Sequence, residues 1–356
     1  MKKKSIIFHA PYTFGSLQSG STVRPYKMYN AFLDLGYDVD LVSGGIKERR
    51  TAFAKVRRGN KAYAFCYSEP STYPVHPFLD YSIYLYLRQR RIPIGIYYRD
   101  AYWRFADYFN KKGLKRLELL LRYRNDLWLY KHVASALFFP TSSLADLFRV
   151  RVPKVILPPG GEDEFSKRKI LTEPITGIYV GGITHRYGID LLLKAFQLLN
   201  QHRPFLLELI CRKDELALLP RGTRSLLEAS WVNIYHTSGD KLAELYEQSH
   251  FGVIPIYRDS YNDLAMPVKL FEYLSYGLPV IATNCNEMSR FIRENRCGLV
   301  CEDTPESLAE SIRALITDPA LYDRLSKGAV QAIANGNTWN DRARTVATTL
   351  DEGVLA

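Results

Sequence analysis

The sequence predicts an α/β protein of two doubly wound, Rossmann-like domains, and three observations carry that prediction. Its 356 residues exceed what one hydrophobic core usually organises. Short apolar strand candidates alternate with amphipathic helical stretches, and the alternation starts twice, near residue 5 and near residue 177. Between the two runs lies PPGGEDEFSKRKILTEP, residues 158–174, where periodicity stops and the charge balance changes. The domains are placed at residues 1–160 and 174–335, with 158–174 as the linker and a last helix at about 338–350.

In the first half, residues 5–9 form a strand that runs into a loop carrying Gly15 and Gly20. Ser21 or Thr22 can cap the following helix, whose face carries Tyr26, Tyr29 and Leu33 before Gly36 stops it. Residues 38–43, 63–67, 94–98, 136–140 and 154–157 are the next strands, and Thr141-Ser142-Ser143 can cap a helix. Gly20 and Arg24 sit where a loop meets a helix N-terminus, a natural anion position. The pattern lacks GxGxxG, so no dinucleotide fingerprint is present. Asp100 lies just past a strand's carboxyl end, where ligand crevices of parallel sheets form. It is a candidate base or acceptor-hydroxyl ligand, with a helix-capping aspartate paired to Arg99 or Arg104 as the plain alternative.

Composition narrows the classes. Hydrophobic content of 47% and charged content of 24% are ordinary for a globular protein. No run approaches the roughly 20 apolar residues needed to span a bilayer. MKKKSIIFHAPYTFG reads as a first strand and not a signal peptide, because its apolar part is only Ile6-Ile7-Phe8. Five scattered cysteines without a CxxC pair suggest reduced thiols of a cytoplasmic protein and no zinc site. The first 172 residues carry 30 Lys/Arg against 14 Asp/Glu, and the remainder 18 against 23. That asymmetry points to an anionic partner for the first half. Between Tyr81 and Lys131, 12 Lys/Arg and 4 Asp/Glu alternate with Tyr, Trp, Phe and Leu. Such a mixture suits an anionic membrane surface; without an RNP, KH or zinc-finger pattern, nucleic acid ranks below it. A plain solvated helix face is the bland reading.

The second half restarts with a strand at 177–180, the tight loop Gly181-Gly182, and a helix at 189–199 with Leu191, Leu192, Ala195 and Leu199 inward. Strands follow at 206–211 and 231–235, then a helix capped by Ser238 or Asp240, and a strand at 251–255. The most informative stretch is MPVKLFEYLSYGLPVIAT, residues 266–283. Met266-Pro267 opens a helix, Val268, Leu270, Phe271 and Leu274 supply its apolar face, and Gly277 caps it. A strand at 279–282 comes next. Lys269 and Glu272, three apart, share one face near the positive helix end. A cation there suits a phosphate and a carboxylate suits sugar hydroxyls; the alternative is a surface ion pair. A strand at 298–301 and a helix from Thr304-Pro305, burying Leu308, Ile312 and Leu315, complete the pattern. Two such domains facing each other make a cleft at their strand ends.

Several stretches in order now carry a family likeness: YVGGITHRYGIDLLLKAF, FGVIPIYRDSYNDLAMPVKLFEYLSYGLPVIAT and RENRCGLVCEDTPESLAESIRALITD, with PTSSLADLF and VPKVILPPGGEDEF upstream and TWNDRARTVATTL at the end. Together they resemble the retaining, nucleotide-sugar-dependent bacterial glycosyltransferases of the GT-B fold, the group called family 4 or group 1. The resemblance implies transfer of a sugar from a nucleoside diphosphate to an acceptor hydroxyl, in bacterial surface polysaccharide or glycoconjugate synthesis. It implies that Glu272 holds the ribose hydroxyls, that Gly181 and Gly182 let the backbone approach the diphosphate, and that His236 and Thr237 lie where the base is contacted. Pro267 belongs to the same donor-binding turn. The family's Lys-Gly step reads Tyr187-Gly188 here, leaving Arg186 and Lys269 as the cations. The first of the family's two glutamates is replaced by Leu264, with Asp263 adjacent and Asp259 near. Asp100 and Asp263 are thus the catalytic candidates, and Gly20 and Arg24 the acceptor or diphosphate side of the cleft. The final helix is expected to cross back onto the first domain, and the domains to close over the donor. No DxD motif is placed to bind a metal, so no cofactor or metal is expected beyond the donor itself. The acceptor is a saccharide or lipid-linked saccharide, met in the cytoplasm or on the inner membrane face. Two rivals are a nucleotide-sugar epimerase of the same fold and a non-catalytic partner subunit.

Overall fold

Parallel strands need crossovers, and both halves of this chain supply them as helices. A computed structural model describes residues 3–15, 20–163 and 169–351. The chain divides into two compact units, Met1–Pro158 with Trp339–Ala356, and Pro159–Thr338.

The first unit runs β1 (Ser5–Ala10), α1 (Gly20–Asp34), β2 (Asp38–Ser43), α2 (Ile46–Arg58), β3 (Tyr63–Ser68) and α3 (Leu79–Gln89). It continues with β4 (Ile94–Tyr97), α4 (Gly113–Val133), β5 (Ala136–Phe139), α5 (Ser142–Asp146) and β6 (Lys154–Ile156). Its six strands are parallel in the order β2-β1-β3-β4-β5-β6. The order reverses between β1 and β3, so the ligand crevice of this unit opens past their carboxyl ends. Ile6, Phe8, Phe65, Tyr67, Ile94, Ile96, Leu137 and Phe138 are fully buried, as a sheet covered by helices on both faces requires. The Thr141 hydroxyl caps α5 by accepting from Leu144 N at 3.2 Å, as its position predicts.

The second unit runs β7 (Ile175–Val180), α6 (Ile189–Leu199), β8 (Phe205–Ile210), the short α7 (Lys213–Leu216) and α8 (Arg221–Leu226), β9 (Val232–Tyr235) and α9 (Asp240–Gln248). It continues with β10 (Phe251–Ile254), α10 (Val268–Ser275), β11 (Val280–Thr283), α11 (Asn286–Asn295), β12 (Gly298–Cys301), α12 (Pro305–Thr317) and α13 (Pro319–Ala334). The strand order β12-β11-β10-β7-β8-β9, all parallel, reverses between β7 and β10. The inward residues expected of α6 are buried, and Ile189, Leu193 and Phe196 join them, so the helix is apolar on nearly every side. It packs with Leu308, Ile312 and Leu315 of α12 in one core. The last helix, α14 (Trp339–Asp351), belongs to the first unit, where Leu350 side-chain atoms lie against Gly95 of β4.

Several boundaries differ from the sequence expectation for local physical reasons. Pro267 does not open α10; it is the extended N-cap residue, φ −74° and ψ 139°, and the helix starts at Val268. Neither Ser238 nor Asp240 caps α9, because Gly239, at φ +65°, takes the N-cap position. Part of the expected linker packs on the second unit. Glu162 N donates to Ser275 Oγ at 2.8 Å, and Gly161 pairs with Thr338. Residues 164–168 lie outside the described residues. All five cysteines are free and buried.

Candidate functional site

The second unit's crevice is built by the loop after β7, the loop after β10 and the start of α10. Gly181 adopts φ +140°, a region that excludes other side chains, and a Cβ on it would lie 2.8 Å from Lys269 Nζ. Gly188, at φ +70°, comes so close to Pro255 that a Cβ would fall 1.6 Å from its carbonyl oxygen. The glycines therefore let this loop pack against both the lysine and the β10 exit.

Lys269 is the least satisfied group of the site. Its Nζ is buried and makes no hydrogen bond, although the side chain as a whole is half-buried. It sits 4.1 Å from the Tyr179 ring centroid and 5.9 Å from that of Tyr187. Burial lowers its pKa from 10.5 to about 7, against the opposing pull of the Glu272 charge. The spacing of Lys269 and Glu272 allowed a surface ion pair; instead the ammonium is tucked under the glycine loop. Glu272, half-buried, accepts from Tyr246 Oη at 3.3 Å. Tyr187 packs its ring against Gly182, and the Arg186 guanidinium lies 5.5 Å from Tyr187 and 5.6 Å from Tyr261. His236 joins the exits of β8 and β9 by donating from Nδ1 to the Cys211 carbonyl at 2.8 Å. Thr237 follows it in the same loop.

The carboxylates beside Leu264 hold the loop together. Asp263 accepts from Arg258 Nε at 3.2 Å and from Asn286 N, the first residue of α11, at 3.0 Å. Asp259 accepts from the Tyr261 and Asn262 amides at 2.8 and 2.7 Å, folding the 3₁₀ turn Asn262–Leu264. Among the described residues no cluster of three or more His, Cys, Asp or Glu side chains is assembled for a metal ion.

In the first unit Arg24 is 4% exposed, deep in the crevice at the β1/β3 reversal. Its Nε lies 3.3 Å from Glu69 Oε1, Nη1 donates to Pro158 O at 3.2 Å, and the guanidinium stacks 3.7 Å over Tyr97. Arg99 reaches the other oxygen of Glu69 at 3.7 Å and donates to Tyr12 Oη at 3.0 Å. Glu69 was not singled out from sequence, and Arg99 was named there only as a pairing partner for Asp100; their signal is placement one or two residues past β3 and β4. Gly20 is the first residue of α1. Asp100 accepts from Thr72 Oγ1 at 2.9 Å on the wall of a cavity of about 30 Å³ shared with Tyr98, Tyr123 and Asp126. A Ser68–His9–Asp80 chain has the order of a nucleophilic triad, yet all three residues are wholly buried. Burial raises the Asp80 pKa, but His9 and Arg49 outweigh it and hold the carboxyl down to about 2. The chain ties β1 to β3 and α3 and offers no access for chemistry.

Comparison with known proteins bears on this geometry. The family model described as glycosyl transferases group 1 matches residues 161–332. An uncharacterized glycosyltransferase of Haemophilus influenzae is 24% identical over 184 residues, which are 51% of this chain and 48% of that protein. The chain thus matches about half the length of such curated relatives. Among solved structures, sucrose-phosphate synthase from Thermosynechococcus elongatus superposes with a TM-score of 0.71 at 15% identity, over 98% of this chain and 99% of that one. Anabaena HepE, in complex with UDP and glucose, gives a TM-score of 0.68 at 14% identity, over 98% and 100%. At these identities the structures speak for the fold. The matched segment holds the glycine loop, Lys269 and Glu272, and it is residues 161–332 that are similar to the glycosyl transferases of group 1.

Proposed function

We propose that this protein transfers a sugar from a nucleoside diphosphate to an acceptor hydroxyl, with retention at the anomeric carbon. One observation carries the reading: a buried lysine ammonium without a hydrogen-bond partner, held directly under a glycine loop at the strand-order reversal. A desolvated cation is destabilising until an anion joins it, and a glycine loop admits a diphosphate to that distance. As the glycosidic bond breaks, negative charge gathers on the leaving phosphates. Lys269, Arg186 and the loop amides stabilise it there, and this supply of fixed positive charge is why we propose that no metal ion is required. Glu272, steadied by Tyr246, takes the ribose hydroxyls, and His236 and Thr237 border the base. Pro267 sets the entry of α10 that aims Lys269.

Arg24, Gly20 and Asp100 are proposed for the acceptor side, with Asp100 the candidate to meet an acceptor hydroxyl. The basic, aromatic first half favours a saccharide or lipid-linked saccharide at an anionic membrane, hence a cytoplasmic protein working at the inner membrane face in surface polysaccharide or glycoconjugate synthesis. A second reading, a nucleotide-binding partner subunit without turnover, draws on Leu264 and on Asp263 being engaged by Arg258 and α11. Titration with UDP-, GDP- and dTDP-sugars tests the first reading, using wild type, Lys269→Met and Glu272→Ala. Binding of one nucleotide class with loss of about tenfold or more in either variant supports it. Absence of binding to all three sinks it, and tight binding without product from any acceptor favours the second reading.

A further inference from the structure

Helix α4 leaves a large apolar face uncovered. Among the described residues twelve large hydrophobic side chains are exposed, and four of them, Leu114, Leu117, Leu121 and Trp128, lie on this one helix. At 3.6 residues per turn these four fall within an arc of about 60°. Leu119, Tyr123, Leu129, Tyr130 and Val133, which pack inward, occupy the opposite side. Leu114 is 86% exposed and Trp128 61% exposed, and every residue from 112 to 118 is exposed, so the first turns of α4 project from the unit. Residues 111–124 carry six Lys/Arg against one acidic residue, Glu118. Arg124 and Lys131, both exposed, flank the stripe on one side.

We propose that α4 docks on an anionic lipid bilayer, lying in its plane with the Leu114–Trp128 stripe among the acyl chains and its cations at the headgroups. No helix of the described residues is long and apolar enough to cross a membrane, and an amphipathic basic helix of this kind suits the interface. Charge decides among occupants. A second copy would bring its own strongly basic first half against this one, and three of the four stripe residues are leucines, which offer a nucleic acid neither stacking nor hydrogen bonds, leaving Trp128 as the single ring. An anionic surface with an apolar interior matches both the cations and the leucines. The inference deepens the reading of a membrane-borne acceptor and rests on it for its purpose, while its geometry rests on α4 alone.

Flotation of the full chain with phosphatidylcholine vesicles, with and without phosphatidylglycerol, tests it against the double variant Leu117→Glu/Leu121→Glu. Wild type is expected to float with the anionic vesicles and to stay behind with the neutral ones. The variant should bind the anionic vesicles about tenfold more weakly or worse, with an unchanged melting temperature because both side chains are exposed. A second variant, Arg124→Gln/Lys131→Gln, removes the two exposed cations beside the stripe and should lose affinity without introducing any acidic group. Failure of wild type to float, equal flotation of the leucine variant, or a dimer in sedimentation velocity that this variant dissolves would each overturn the proposal. Parallel nucleotide-sugar titration keeps the two readings apart. A chain that binds a nucleotide sugar but never floats sinks the docking helix alone, and one that floats but binds no nucleotide sugar sinks the transferase reading alone.

Discussion

On the proposed reading, Lys269 links the chemistry of this protein to its stability. Its folded pKa of about 7 lies below the ordinary 10.5. Between those values the unfolded chain binds the extra proton, so stability rises with pH across that window, and below pH 7 the penalty is complete. Lys269→Met should therefore raise the melting temperature of the free protein by a few degrees near pH 6, with the gain shrinking towards pH 10; calorimetry at several pH values reads it. On the proposed reading, the same variant should flatten the pH dependence of donor affinity, which in wild type is expected to fall above about pH 7 because the lysine must be reprotonated to meet the diphosphate. Asp263 makes a contrasting case. Asp263→Asn should lower stability by about 1 kcal/mol, through the lost Arg258 contact and α11 cap, and leave nucleotide affinity unchanged in calorimetric titration. A large loss of affinity would instead place this carboxylate at the donor. Spacing alone put Lys269 and Glu272 on one helix face. It held no information on the burial of Nζ, which depends on β7 and α10, far apart in sequence, coming together at Tyr179 and Gly181.

At the scale of elements, two glycines of the second unit should respond oppositely to alanine. Gly188→Ala forces a side chain at φ +70° into the Pro255 carbonyl and should destabilise by about 2–4 kcal/mol. Gly222→Ala, inside α8 with open space around the new methyl, should stabilise by about 0.5–1 kcal/mol. Urea denaturation of both variants checks the pair. The same elements mark what a sequence can reveal. Strands flanked by glycine loops stood out because β-branched and apolar runs end sharply at residues that only turns use. Helices α2 and α3 did not, since α2 buries Arg49 among its apolar residues and α3 alternates tyrosines on both sides. The α9 and α10 starts moved by a residue or two because a glycine with positive φ and an extended proline took the cap positions that hydroxyl and carboxylate side chains usually fill. The Glu69–Arg24–Arg99 contact was invisible for another reason: its members come from α1 and the exits of β3 and β4, which only the sheet order brings together.

At the scale of the molecule, the second unit is one continuous stretch, Pro159–Thr338, whereas the first is assembled from two pieces of chain. Residues 159–338 expressed alone are expected to fold cooperatively and, on the proposed reading, to bind the nucleoside diphosphate. Residues 1–158 alone are expected to stay aggregation-prone, because α14 buries Trp339, Ala343, Val346 and Leu350 against that unit. Circular dichroism melts and solubility of the two fragments test this, and a well-folded 1–158 fragment would show that α14 is dispensable.

The return of α14 also sets an order in time. A ribosome releases the six-stranded sheet of the first unit long before it makes Trp339, so that sheet must wait through the synthesis of the whole second unit for its last helix. The later-made unit can therefore finish folding first, while β3 and β4 stand with an unfinished apolar cover. During translation it is the amino-terminal half that needs protection by chaperones, and slow codons near residue 338 would prolong that exposure where fast ones would shorten it.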